Sequence, residues 1–403
     1  MSALLPAVVL GIDTPIGLAI VRDLGRRGVP VTGIARSGAA PGLVSRYLRQ
    51  GLLRAEGEEG TLRQLEQLAG SLGPACLFAI AESDIAMLNR HRARLGNYRL
   101  LFGDSDCMAQ VLDKNRTYAA ARRAGVTVPR TEQPLDAAQA RAAAAALRYP
   151  VVLKWADPNQ VVGLLAAAGL ALDKARYCHS AQELLAYLEP LHALGRYPMI
   201  QEYCAGYGLG QFVLMRDGVA YSVFQHRRLH EWPPEGGVSA QCESLGLEQH
   251  RALMIKSIAL LRELKWEGIA MVEYRHDPQT GRSALMEING RYWGSLPLAC
   301  AAGASFPWQQ YQLQALGRPV GQARYVAGLR CRFMIPETKR LLRLLFRPSL
   351  VADRQLVLRR RAELLGYLVD FVRPGTRYYL FQWRDPRPFF HDLWHVLSRA
   401  AGP

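Results

Sequence analysis

The sequence contains no apolar run approaching the about 20 residues that a membrane-spanning helix needs. Its opening apolar stretch, Leu4 to Leu10, is short, interrupted by Pro6 and unlike a signal peptide. Paired cysteines are lacking too. The seven (76, 107, 178, 204, 242, 300 and 331) are odd in number, scattered and without a Cys-x-x-Cys. That excludes a disulfide framework and a thiolate zinc site, and it fits a reducing cytosol. Lysine is scarce: Lys114, Lys154, Lys174, Lys256, Lys265 and Lys339 are the only six among fifty basic residues. Arginine therefore carries the net charge of +16. Such a surplus favours polyanionic partners, although a GC-rich genome that writes Arg and Ala freely accounts for it at least as well. With no recognisable motif and no segregated basic stripe, a specific nucleic-acid role rests on charge alone and is not expected. Internal repeats and low-complexity linkers are absent as well.

What is present begins as an α/β pattern. Residues 7 to 12 form a continuous apolar run ending near Gly11, as a buried parallel strand does. Residues 15 to 28 have helical spacing, with Ile16, Ala19, Ile20 and Leu24 on one face, and Val29 to Ala35 reads as the next strand. Cys76 to Ile80 and Leu100 to Phe102 supply a third and a fourth, with Glu82, Ser83 and Asp84 opening a helix between them. This is a doubly wound α/β unit. Gly-x-Gly-x-x-Gly is missing and Arg36 stands where an acid should end the second strand, which argues against a dinucleotide site and leaves an NAD-dependent oxidoreductase the least favoured reading.

From Asp113 the texture becomes α+β. Helical stretches (114–124, 134–148, 248–265) alternate with strands at 151–154, 199–203, 211–215, 220–225, 269–275 and 284–289. Beyond 318 the chain is rich in Arg and aromatics, including Arg359-Arg360-Arg361 and the stretch from Tyr378 to Trp394. Its helices are expected to pack on their own domain with a solvated basic face. The sharper alternative is a basic amphipathic patch resting on a membrane surface or another anionic partner.

The chemistry concentrates in the two late strands. The segment His276-Asp277-Pro278-Gln279-Thr280-Gly281 is a turn by composition; a hairpin centred on Thr280 puts Glu273 directly across from Glu287, and alternation puts Asn289 on the face of Glu287. Opposed carboxylates repel unless a cation lies between them. Two carboxylates and an amide oxygen, with no His or Cys, form a hard-oxygen set suited to Mg²⁺ on a nucleotide's phosphates. Arg291 adds a fixed cation for the same phosphates or for a carboxylate.

Glu287-Ile288-Asn289-Gly290-Arg291, with an acid on the preceding strand, resembles the metal-binding signature of ATP-grasp enzymes such as biotin carboxylase and D-alanine ligase-like members. Other parts of the resemblance lie in order along residues 7 to 310. Asp113-Lys114 is similar to the family's first nucleotide lysine. Pro150-Val151-Val152-Leu153-Lys154 is similar to the strand whose lysine reaches the α- and β-phosphates. Gln201-Glu202-Tyr203-Cys204 resembles the interlobe hinge, where backbone groups of Glu202 and Cys204 bracket the adenine. Gln225-His226-Arg227-Arg228, with Glu231 and Gly236-Gly237, resembles the basic strand and loop beside the reacting carboxylate. His226 and His230 read there as substrate-side hydrogen bonders. Two departures stand out: residues 155–165 read as a loop with only Gly163 where many members carry several glycines, and Tyr207-Gly208 replaces an acid that grips the ribose.

The resemblance implies a Rossmann-like pre-ATP-grasp domain (1–112) and an ATP-grasp domain of two α+β lobes (113–317, small lobe about 125–203). A mainly helical basic C-terminal extension (318–403) follows. It implies ATP with Mg²⁺, or Mn²⁺ in its place, held by Glu273, Glu287 and Asn289. Lys114, Lys154 and Gln201 to Cys204 are then nucleotide contacts, and Lys154, Arg228 and Arg291 the catalytic cations. The implied reaction is ADP-forming ligation of a small-molecule carboxylate to an amine in the cytoplasm. Peripheral contact with a membrane's inner face or an anionic envelope precursor, and a homodimer, are left open. The competing readings are an ATP-grasp kinase or phosphotransferase and a non-catalytic, membrane-recruited nucleotide binder. Neither co-substrate is coded in the residues.

Overall fold

The computed structural model describes residues 4–156, 158–173, 175–356 and 359–400. Five parallel strands come first: β1 (Ala7–Leu10), β2 (Val31–Ala35), β3 (Gln50–Leu53), β4 (Ala75–Ala79) and β5 (Tyr98–Leu100), in the order β3-β2-β1-β4-β5. The central three are buried on both faces, which explains their unbroken apolar runs. The sequence pattern predicts only four strands. The additional one, β3, is an exposed edge whose Gln-Gly-Leu-Leu carries no such run. The helix Pro15–Gly25 starts with Thr14 Oγ1 accepting from the Gly17 N–H at 3.3 Å and with Pro15 in its first turn. A Cβ on Gly17 would fall 2.5 Å from the Gly11 carbonyl oxygen. That glycine serves close helix–strand packing, not a phosphate.

A small antiparallel sheet follows: β6 (Thr131–Glu132), β7 (Val151–Lys154), β8 (Arg176–Cys178) and β9 (Met199–Glu202), in the order β6-β9-β7-β8. Val151, Leu153 and Ile200 turn inward onto a core with Ala140, Leu165, Leu184 and Leu188 from the covering helices. Alternation sends Lys154 and Gln201 to the opposite face. The segment after Lys154 is a helix, Pro158–Ala167, and not the expected loop. Val161 and Leu165 are buried at helical spacing and draw it onto the sheet. Asp157, within that segment, lies outside the described residues.

The large sheet holds β10 (Tyr207–Arg216), β11 (Val219–Trp232), β12 (Val238–Leu245), β13 (Gly268–His276), β14 (Ser283–Asn289), β15 (Arg330–Arg332) and β16 (Thr376–Tyr378), in the order β14-β13-β10-β11-β12-β15-β16. Every pairing is antiparallel except β15–β16. Beneath it Trp293 stacks on Phe212 at 4.1 Å and meets Phe306 edge-on at 5.3 Å. The C-terminal segment is mainly helical (Met334–Phe346, Arg360–Val372, Arg387–Ala400), yet β15 and β16 also extend the large sheet. It returns to the start of the chain as well. Buried Asp385 accepts from Arg22 Nε at 2.9 Å, Ser45 Oγ at 2.7 Å and the Arg46 N–H at 3.0 Å.

Candidate functional site

The β13–β14 hairpin is fixed by its turn. Asp277 accepts from the Gln279 N–H at 2.9 Å and from Thr280 Oγ1 at 2.8 Å, and its carbonyl accepts from the Gly281 N–H at 2.8 Å. The ladder runs from His276 opposite Ser283 to Met271 opposite Asn289, with one bulge, and Glu273 faces Glu287. The other face of the hairpin (Val272, Tyr274, Leu285, Ile288) is buried, so the register cannot slip without exposing it. Asn289 Nδ2 donates to Glu287 Oε1 at 3.1 Å. Gly290 lets the chain pass Trp266, whose ring would lie 2.4 Å from any Cβ there.

Across from the hairpin stands the outer face of the small sheet. Lys154 Nζ donates to Gln201 Oε1 at 3.5 Å, and Gln201 Nε2 donates to Tyr118 Oη at 2.9 Å and Thr131 Oγ1 at 3.2 Å. Tyr118 in turn donates to the Met286 carbonyl at 3.3 Å, joining the small sheet's support to β14. Burial lowers the proton affinity of Lys154 and nearby Lys114 lowers it further, while Glu287 and Glu273 work the other way. Lys114 sits in the first turn of the helix Lys114–Arg123, where Asp113 caps the Asn115 and Arg116 N–H groups. Its charge reaches both Lys154 and Glu287, so all three share one cleft.

Arg228 of β11 lies between acids. Its guanidinium donates to Glu273 and, at 3.0 Å, to Glu231 Oε1, and also to the Gly237 carbonyl at 3.3 Å. Arg275, on the same face of β13 as Glu273, donates to Glu231 Oε2 at 3.3 Å. The two opposed carboxylates titrate apart. Burial holds Glu273 above the usual carboxylate range, with Arg228 opposing and Glu287 and Glu231 adding to the rise. Burial also pushes Glu287 up, but the Asn289 hydrogen bond and the charges of Lys114, Arg228 and Lys154 outweigh it and hold this carboxyl low. Although deep among charged neighbours, Glu287 is open to water.

Among the described residues, no three His, Cys, Asp or Glu side chains gather as a metal cluster. The expected donor set remains Glu273, Glu287 and the Asn289 amide, with Glu273 opposite Glu287 across the ladder. That suits Mg²⁺, which commonly takes one or two carboxylates and fills its remaining positions with water and phosphate oxygens. Glu287 and Asn289 are hydrogen-bonded to each other, and Glu273, opposite Glu287, pairs with Arg228. The residues fit the ion.

Other expected contacts are committed elsewhere. Arg291 Nε donates to Glu82 Oε1 at 2.8 Å, which turns its guanidinium toward the carboxyl edge of the first sheet. The Glu202 N–H donates to the Arg130 carbonyl at 2.9 Å, its carboxylate accepts from the Arg130 N–H and from Arg282, and its carbonyl meets the Cys204 thiol at 3.8 Å. Tyr203 Oη donates to Asp353 Oδ2 at 2.9 Å, and burial raises the Cys204 thiol to about 11. His226 is a core residue hydrogen-bonded to Ser295 Oγ, and burial drives its pKa well down. His230 pairs with Glu337 at 2.6 Å. Both histidines lie within β11 and not on a loop. Tyr118, Thr131 and Arg275 escape the sequence reading. Only Arg275 carries a signal there, being two residues beyond Glu273 on one strand.

No protein-family model matches the chain, and no curated protein matches its sequence. Its fold does match solved structures. N5-carboxyaminoimidazole synthetase from Staphylococcus aureus aligns with a TM-score of 0.64 at 12% identity, covering 86% of this chain and 86% of that one. The biotin carboxylase domain of 2-oxoglutarate carboxylase from Hydrogenobacter thermophilus, solved with MgADP, ADP and bicarbonate, aligns with a TM-score of 0.59 at 17% identity, over 80% and 73%. L-amino acid ligase from Bacillus licheniformis gives 0.54 at 15%, over 78% and 75%. These are ATP-grasp enzymes. The chain has their architecture, a parallel five-stranded sheet followed by antiparallel sheets, and it also carries a C-terminal helical region.

Proposed function

We propose that this protein is an ATP- and Mg²⁺-dependent ligase that activates a carboxylate as an acyl phosphate and joins it to an amine. The observation that carries the reading is the meeting of Lys114, Lys154 and Arg228 with Glu273, Glu287 and Asn289 in one cleft between two sheets. Half-buried cations facing opposed carboxylates are a costly arrangement without a ligand, and Mg·ATP satisfies both halves.

Glu273, Glu287 and Asn289 would hold Mg²⁺, or Mn²⁺ in its place, and the bound ion would neutralise phosphate charge. Lys154, which makes a long hydrogen bond to Gln201, donates to the phosphates as charge shifts toward the leaving ADP. Arg228 orients the substrate carboxylate. Arg291, held by Glu82 at the first sheet's carboxyl edge, guards the side where that sheet supplies the acceptor pocket. A carboxylate oxygen attacks the γ-phosphorus, the bond to the β-phosphate oxygen breaks and ADP leaves. The amine then attacks the acyl carbon, phosphate departs and the nitrogen loses its proton. The Tyr203–Asp353 hydrogen bond and the bond from Tyr177 to the Glu235 carbonyl tie the small sheet to the β11–β12 turn and the C-terminal segment, which shields the acyl phosphate from water.

The test is ADP release from Mg·ATP across a matrix of carboxylates and amines. Release should require one of each, and Glu287→Gln should abolish it with the far-ultraviolet dichroism unchanged. Full turnover by that variant would overturn the reading. ADP release without any amine, matched by a phosphorylated product, would make the protein a phosphotransferase instead.

A further inference from the structure

The charge of the chain is unevenly spread. Residues 318–403 hold seventeen Lys and Arg against six Asp and Glu, so this segment carries eleven of the sixteen net positive charges. Exposed apolar side chains concentrate in the same place: fifteen of the twenty-four large ones among the described residues lie between Leu342 and Leu397. On the helix Arg360–Val372 the one buried residue is Asp370. Leu364, Leu365, Leu368 and Val372 form a stripe open to solvent, with Val372 81% exposed. On the helix Arg387–Ala400, Phe390, Leu393, Trp394 and Leu397 recur at the three- and four-residue spacing of a single face. Trp383, between the two helices, is 88% exposed. An apolar cavity of about 520 Å³ lies between these helices and Met334–Phe346, lined by Met334, Ile335, Phe371, Phe381, Leu393 and Val396.

A folded surface rarely leaves so much contiguous apolar area in water. A second copy of the chain is a poor cover, because it would press two strongly cationic faces together. An anionic bilayer answers both features. The leucine and phenylalanine stripes suit the acyl boundary, and exposed tryptophans favour the headgroup level. Arg347, Arg359, Arg360, Arg361 and Arg387 are exposed and make no ion pair among the described residues, which leaves them for lipid phosphates. No described helix is long and apolar enough to cross a membrane, so the association is interfacial. We propose that the three C-terminal helices dock this protein on an anionic phospholipid surface.

The surface is coupled to the cleft. The helix Met334–Phe346 reaches the β11–β12 hairpin that carries Arg228, through Glu337 on His230 and Arg343 stacked 4.3 Å over Trp232.

Flotation of the full chain with phosphatidylcholine vesicles, with and without phosphatidylglycerol, tests this. Binding should require phosphatidylglycerol and fall as salt rises. Trp383→Ser combined with Trp394→Ser should weaken it about tenfold. Replacing Arg359, Arg360 and Arg361 by Ala should weaken it about a hundredfold, at roughly fivefold per charge. All five side chains are exposed, and an unchanged melting temperature would verify that each variant is folded. Absence of binding to phosphatidylglycerol vesicles, or binding unaltered in both variants, would overturn the proposal. So would a dimer in sedimentation that the tryptophan variant splits, since the face would then belong to a second copy.

Discussion

The cleft and the C-terminal surface depart from ordinary protein texture in opposite directions. In the cleft, Lys154, Arg228, Glu273 and Glu231 are withdrawn from bulk water and answer one another at close range. At the C-terminal surface, Leu365, Val372 and Trp394 stand in water with little to cover them. Enclosed charge and exposed apolar area are each unfavourable in an isolated chain, and each is relieved by a different kind of ligand. The cleft is shaped for something small and anionic carrying a hard cation. The surface is shaped for something extended, anionic and apolar beneath.

The contrast can be broken most forcefully at Arg228. Arg228→Leu leaves Glu273 and Glu231 without their shared cation, and unfolding stability should fall by about 3–5 kcal/mol in denaturant titration. A loss under about 1 kcal/mol would mean that the acids are well solvated and the cleft is not enclosed. Next in size, Lys154→Met should lower kcat/KM for ATP by about a hundredfold while leaving the melting temperature intact or raised, because a buried ammonium is exchanged for an apolar chain of similar length. Smallest of all, Leu365→Gln should change stability by no more than about 0.5 kcal/mol despite removing a large apolar residue. A cost near the about 2–5 kcal/mol of a core leucine truncation would show that this helix face is covered in solution.

Much of the cleft was legible in the residues because several constraints coincided there. Turn composition and two acids at matched distances pointed to the pairing of Glu273 with Glu287, and the structure has it, although by way of a bulge next to Tyr274 that the sequence pattern does not mark. The first sheet's buried strands were legible for a related reason, since burial on both faces leaves an apolar run. Exposed or very short strands carry no such mark: β3 is mostly exposed, and β15 and β16 are three residues each. The helix after Lys154 rests on only two buried apolar positions, Val161 and Leu165, a periodicity too short to mark it against its place after the strand. Side-chain commitments such as Arg291 to Glu82, separated by 209 residues, are set by packing between distant elements and leave no local trace. The C-terminal helices were expected to pack on their own domain, and periodicity alone cannot say whether an apolar stripe meets protein or solvent.

The Asp385 contact with Arg22, Ser45 and Arg46 has a consequence in time. Arg22 and Asp385 are 363 residues apart, and both are almost wholly buried. At a synthesis rate of about 5–20 residues per second, on the order of 20–70 s separate their emergence. Throughout that interval the first helix carries an arginine whose partner does not yet exist. The opening sheet therefore waits, with this buried arginine unpaired, until nearly the whole chain has emerged.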